Sequence, residues 1–473
     1  MQVSPNALAW LMLMVWPLVA LALFQRTSAD RALIWTILGG YLVLPPLAAI
    51  NLPVVPDLTK DSIPALAAAA IVFFYLKGRF SLLPQSWIGR GLMALFVLGP
   101  FATVLTNADP VPKVDGDLQG MRIYDSVASV ANQFIALLPF FLARKYLATP
   151  EAMRHLLVAL VLAGLVYSLP MLVEIRLSPQ MNVWVYGYFQ HDFFQTIRFG
   201  GYRPVVFLPH GLWVALFTLM TVTAAAVLLR DVPVGERPRY FAALLYLSAV
   251  LILCKSLGAL IFAVALVPLA YLLRPRAQVL TAAVLAVMVV AYPILRGAHL
   301  VPLDDILRFA EGISAERAHS LAFRIGNEEA LLDKAAERIW FGWGGYGRNL
   351  LYDPLTGAGR SIADGAWIIT MGIYGWSGYI AQFGLLALPL FLMGREAIAG
   401  RDIRPLSPYA GAVALLLAFN MLDMLPNATL IPLTWLMAGA LIGHAEALAE
   451  ERRAHHWLQR KAVVRRRPSR TVI

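Results

Sequence analysis

Cysteine is nearly absent from this sequence: Cys254 is the only one in 473 residues, which excludes an internal disulfide and any multi-cysteine zinc site. Charge is scarce as well. Asp, Glu, Lys and Arg make up 14% of the chain against 59% hydrophobic residues, and mean hydropathy is +0.68, outside the usual soluble range. Neither an HExxH nor a GxSxG sequence occurs, so the familiar zinc-protease and serine-hydrolase arrangements have no support. The amino terminus lacks the basic start, short apolar core and small-residue cleavage site of a signal peptide, and 7–24 reads as a retained first span.

Long apolar runs are what the sequence has. Thirteen can be placed near 7–24, 32–50, 63–76, 91–106, 124–143, 155–174, 205–229, 240–254, 257–273, 278–295, 373–393, 407–424 and 430–444, and they predict an all-α polytopic membrane protein of 12–13 transmembrane helices. The connections between them differ in charge. One alternating set, which includes the tail, carries twenty-four Lys and Arg, whereas the opposite set of short connections carries only Lys60, Lys113, Arg122, Arg176, Arg198, Arg203 and Lys255. This bias puts the carboxyl end in the cytoplasm and the amino terminus outside. Eight basic residues after Glu450 account for much of the net charge of +11, and an anionic lipid surface explains them more simply than nucleic acid.

The chain therefore divides into a bundle over 1–295 with an outer loop at 175–204, a long outer helical loop over 296–367, further spans over 368–444, and a basic cytoplasmic tail over 445–473. The long loop holds eight basic and ten acidic residues. Its pattern predicts one or two amphipathic helices ending at the glycine-rich "GWGGYG", with Leu321, Leu331, Leu332 and Ile339 facing the membrane.

Polar groups cluster on the outer side. Arg198 and Arg203 flank "FGGY", whose glycines permit a tight turn, and guanidinium groups at a membrane rim suit bidentate contacts to phosphate oxygens. The bland reading of each is interfacial snorkelling. His210 is expected about one and a half turns inside the span beginning at Val205, bracketed by Pro204 and Pro209. Its bland reading is a buried histidine bonded to a neighbouring helix. Arg317 and Arg324 lie seven apart, two helical turns, with Glu328 continuing that face; a solvated face with exchangeable ion pairs is the simpler account. Asp364 sits just before the chain returns to the membrane, where a helix N-cap is the plain role. Asp115 and Asp117 in "DGD" read as a turn and not a metal site, and "GWGGYG" follows no strand that would make it a nucleotide loop.

The order of "RPVVFLPHGLWVALF", "FRIGNEEALLDKAAERIWFGWGGYG" and "DGAWIITMGIYGWSGYIAQFGLL" resembles the O-antigen polymerase and O-antigen ligase superfamily, from about Gln190 to Leu386. The resemblance implies a GT-C-like multispanning glycosyltransferase of the bacterial inner membrane. It would work at the periplasmic face on undecaprenyl-pyrophosphate-linked oligosaccharide as donor and acceptor, without cofactor or metal. Carried over, Arg203 and Arg324 are the expected pyrophosphate-contacting groups, with Arg198 and Arg317 beside them. Ligases of the superfamily place a histidine soon after the long loop, yet none stands between His319 and His444. That favours a polymerase, with Asp364 and His210 as the acid–base candidates. A chain-length regulator and a flippase are the implied protein partners. The alternatives are a ligase acting on lipid A core and a transporter or flippase; a scaffold would leave the arginines and His210 without a purpose.

Overall fold

Backbone amides removed from water must be bonded within the chain, and for long apolar runs helices satisfy that requirement. The computed structural model describes residues 4–52, 55–78, 81–198, 200–313, 315–400 and 405–465, and these are almost entirely helical. In chain order come α1 (Ala7–Arg26), α2 (Ala29–Val43), a hairpin of β1 (Ala49–Leu52) and β2 (Val55–Thr59), α3 (Ser62–Ala70), α4 (Trp87–Leu105), α5 (Ile123–Ala136), α6 (Leu138–Tyr146), α7 (Pro150–Leu177) and α8 (Met181–Tyr186). A second hairpin, β3 (Ile197–Arg198) and β4 (Gly201–Tyr202), leads to α9 (Gly211–Asp231), α10 (Arg237–Leu253), α11 (Leu257–Leu272) and α12 (Pro275–Gly297). The segment over 296–367 forms α13 (Leu303–Ile313) and α14 (Ala315–Glu337), and α15 (Ala366–Ala399), α16 (Pro408–Asp423) and α17 (Pro432–Arg465) follow.

Each of the thirteen expected runs contains a helix, which makes this an all-α polytopic membrane architecture. Among the described residues seven helices are long and apolar enough to cross a membrane: α1, α4, the continuous α5–α6 run, α7, α9, α12 and α15. The other six fall short for local reasons. Leu44 and the two prolines after it end α2, and the polar carboxyl half of α17 dilutes its apolar start. The 240–273 stretch is two helices and not one bent element, broken at Lys255, whose φ of 52° no helix tolerates.

Helix α9 is the axis of the bundle. Its side chains from Val214 to Leu228 are buried on all sides, and α7, α10, α11 and α16 pack around it. Such all-round apolarity is what a central membrane helix requires. The long helices α12, α15 and α17 pack with α16 into a second group.

The segment over 296–367 is tied down firmly beyond its two helices. Gly342 and Gly375 let two backbones meet: a Cβ on Gly342 would lie 2.5 Å from the Ile373 carbonyl carbon, and Gly375, with φ 63° and ψ −160°, kinks α15 so that Trp376 and Ser377 donate to the carbonyls of Ile339 and Trp340. This docking gives "GWGGYG" its work, with the amides of Trp343 and Gly344 donating to Gly372 and Ile373. Arg348, fully buried, holds the carbonyls of Trp343, Gln119 and Asp109, and Arg338 pairs with Asp109 at 2.6 Å. At the other end of the chain, α17 continues unbroken to Arg465, so the basic tail begins as the extension of a core helix.

Candidate functional site

Residues 204–210 refuse helical geometry, and the surrounding side chains make that stable. Val206 has φ 52°, a conformation a β-branched residue adopts only when held. The buried Glu174 carboxylate near the end of α7 accepts from the amides of Met181, Val205 and Val206 at 2.9, 2.7 and 2.8 Å. Gln190 donates to the carbonyls of Val206 and Leu208, and the Lys60 ammonium donates to that of Phe207. Every freed backbone group named here is thus met by a side chain from another element.

That stretch corrects the sequence expectation for His210. The span does not begin at Val205 but at Gly211, and His210 is its N-cap, with Nδ1 accepting from the Leu212 amide at 2.9 Å. The lone pair of the neutral ring is therefore engaged, and the proton sits on Nε2. Burial pushes the His210 pKa down to about 3, helped by His191 and by Arg203, Arg324 and Arg198. The imidazole is a neutral Nε2 hydrogen-bond donor and a poor base.

The three arginines that depress it line a common cavity of about 580 Å³. Arg198 and Arg203 come from the β3–β4 hairpin, Arg324 from α14, and Lys255 from the break between α10 and α11. The hairpin turns at Gly200, with φ 65°, and Gly201 lets the Lys255 side chain approach: a Cβ there would lie 2.3 Å from Nζ. In return Lys255 donates to the Arg198 carbonyl at 3.0 Å, and its own carbonyl accepts from Arg203 Nη2 at 3.2 Å. Three cations are thus brought onto one space by a hairpin and a helix break that brace each other, and α14 adds the fourth.

The opposite wall supplies a carboxylate. Asp423, at the end of α16, is 8% exposed; Asn427 Nδ2 donates to Oδ1 at 3.0 Å and Thr429 Oγ1 to Oδ2 at 2.6 Å. Apolar side chains complete the lining: Leu216 and Leu219 of α9, and Leu257 and Phe262 of α11. One cavity therefore joins cationic and apolar walls, a combination that suits an amphiphile with an anionic head.

Asp364 is not an N-cap; that position belongs to Gly365. Its carboxylate instead lies 3.3 Å from Arg324 Nε, and both groups are more than a third exposed. One turn along α14, Glu328 accepts from the Trp367 indole and stands 3.9 Å from the buried Arg296. Burial holds the Glu328 carboxyl above the usual range. Arg317 lies on the same helix, but its side chain falls outside the described residues.

The weaker signals resolve as structure. Lys113 bonds both Asp115 and Asp117, closing a turn, and no cluster of three metal-ligating side chains is present among the described residues. Cys254 is buried and packs against Thr218. Arg198, Arg203 and Arg324 line one cavity, Asp364 stands beside the third of them, and His210 lies in the field of all three. Asp423 went unmarked, although an acid closing an apolar run just before "PNAT" is an intramembrane ionisable group of the kind that marks a site. Lys255 had stood only as one of seven outer basic residues. No protein-family model matches the chain, and no curated protein matches it.

Proposed function

We propose that the protein is an inner-membrane glycosyltransferase that polymerises undecaprenyl-pyrophosphate-linked oligosaccharide repeat units at the periplasmic face. The observation that carries this reading is the convergence of Arg198, Arg203, Lys255 and Arg324 on one cavity with apolar walls. The pyrophosphate sits against the cations and the prenyl chain follows Leu216, Leu219 and Phe262 into the membrane. An acceptor hydroxyl attacks the anomeric carbon from the face opposite the pyrophosphate. As the new C–O bond forms, the bond to the leaving oxygen breaks, its electron pair goes to the pyrophosphate, and the arginines and Lys255 stabilise that charge. The acceptor proton passes to a carboxylate, Asp364 or Asp423. His210, with its proton on Nε2, donates to a phosphate or sugar oxygen and does not act as the base. Membrane lipids surround the enzyme, nucleic acid has no part, and a flippase and a chain-length regulator act beside it.

The test is a gel of surface glycans and lipid-linked oligosaccharides from cells lacking the protein, complemented with wild type, Arg203→Ala or Arg324→Ala. Single repeat units on the final acceptor, with no ladder, are expected from cells lacking the protein and from either variant at normal membrane levels. Full-length glycan stranded on the polyprenyl carrier identifies a ligase instead, and carrier-linked units trapped on the cytoplasmic face identify a transporter.

A further inference from the structure

A second cavity lies at the far end of the bundle. It occupies about 840 Å³ between α1, α2, α6 and α7, and Arg26, Arg31 and Lys145 line it together with Asp30, Glu151, His155 and several hydroxyls. Helix α7 fixes its position relative to the first cavity. Its amino end, at Thr149 and His155, borders this groove, while Glu174 near its carboxyl end bonds Val205 and Val206, which follow Arg203 in the chain. Twenty-eight residues of helix make about 42 Å, so the two cavities open at opposite faces of a bilayer.

The charges in the groove are partly spoken for. His155 Nδ1 lies 2.5 Å from Asp30 Oδ2, and Arg31 Nη2 donates to His155 Nε2 at 2.9 Å. With Nε2 accepting, the ring is neutral with its proton on Nδ1, donated to Asp30. Hydrogen bonds from Ser28 and His155 and from the Arg31 amide then keep the Asp30 carboxyl below its usual pKa despite partial burial. Three cations stand against two carboxylates, and one of these, Glu151, is 82% exposed and screened by water. The lining of the groove therefore carries one net positive charge.

Its surroundings say what meets that charge. Arg26 is in the last turn of α1, where the apolar span ends, and Leu11, Met14 and Leu18 form an exposed apolar stripe along α1 above it. We infer that the groove binds the phosphodiester headgroup of an anionic membrane phospholipid, its singly charged phosphate among Arg26, Arg31 and Lys145 and its acyl chains against the α1 stripe. Basic pockets between membrane helices at the more basic face are suited to such headgroups. A phosphomonoester would bring a second charge that the groove does not offset.

The inference is independent of the catalytic reading and is tested on the purified full-length protein. Native mass spectrometry in mixed micelles would compare phosphatidylglycerol with phosphatidylcholine on wild type and on Arg26→Gln with Lys145→Gln; both residues are exposed, so the variant should fold. Wild type is expected to retain phosphatidylglycerol preferentially, and the preference should fall roughly 5-fold for each cation removed. Equal retention of the two lipids, or a preference untouched in the double variant, overturns it. So does stabilisation of lipid-free protein by millimolar inorganic phosphate that the double variant loses, since the ligand would then be a soluble anion.

Discussion

His210 shows how one side chain changes meaning when its neighbours are known. From sequence it is an ionisable group beside prolines; in the fold it caps α9 through Nδ1 and is kept neutral by burial and by the surrounding guanidinium groups. Its folded pKa of about 3 lies below the ordinary 6.5, so the folded state binds fewer protons than the unfolded state between those values. Stability should be level above about pH 6.5 and should decline as pH falls toward 3. Thermal unfolding in detergent, compared with His210→Asn, which keeps a capping oxygen, should show this acid limb shrinking in the variant. A second prediction separates the two carboxylates. If Asp423 takes the acceptor proton, Asp423→Asn should reduce turnover by about 100-fold or more while Asp364→Asn costs far less, and the reverse ranking assigns the role to Asp364. Arg198 and Arg203 were legible as candidate phosphate contacts because guanidinium groups at a membrane rim are unusual, and Arg324 joined them only through the family resemblance. Asp423 was not, because its importance depends on Asn427, Thr429 and a cavity wall built by helices far away in sequence.

Among the elements, the spans were the easiest to read and the irregular segments the hardest. Apolar runs announce helices through composition alone, but residues 204–210 look like the start of a span until Glu174 is seen to hold the amides of Val205 and Val206. Glu174→Ala would leave two buried amides and the part-buried Met181 amide without this partner, and the loss of charged hydrogen bonds should destabilise the protein by about 3 kcal/mol or more. Glu174→Gln should recover only part of this, as judged by thermal unfolding. The docking of α15 on the outer segment is equally specific. Gly375→Ala puts a Cβ 2.6 Å from the Trp340 carbonyl carbon at a positive φ, and a cost of about 2 kcal/mol or more is expected from backbone strain alone. Faster proteolysis around residues 339–360 would register it. The sequence could mark "GWGGYG" as a turn, but nothing local in it names Ile373 and Gly375 as the partners.

At the level of the whole molecule, the charge bias of the connections predicts a sidedness that a chemical label can check. Cys254 is the only cysteine and is buried, so the wild-type chain is a quiet background for maleimide labelling. Thr356→Cys in the outer segment should react with a membrane-impermeant maleimide on intact spheroplasts, and Ala454→Cys near the carboxyl end should react only after lysis; both positions are exposed. The opposite pattern would invert the topology and move the proposed chemistry to the cytoplasm. The ownership of the four cations has a further consequence. Arg198, Arg203 and Lys255 belong to elements anchored in the bundle, whereas Arg324 rides on α14 of the outer segment. A ligand that grips all four therefore couples its own affinity to the docked position of α14, so that occupancy and closure reinforce each other by mutual linkage. On the proposed function, the segment carrying α14 would then be a latch that the anionic head of the substrate itself fastens and that its departure releases.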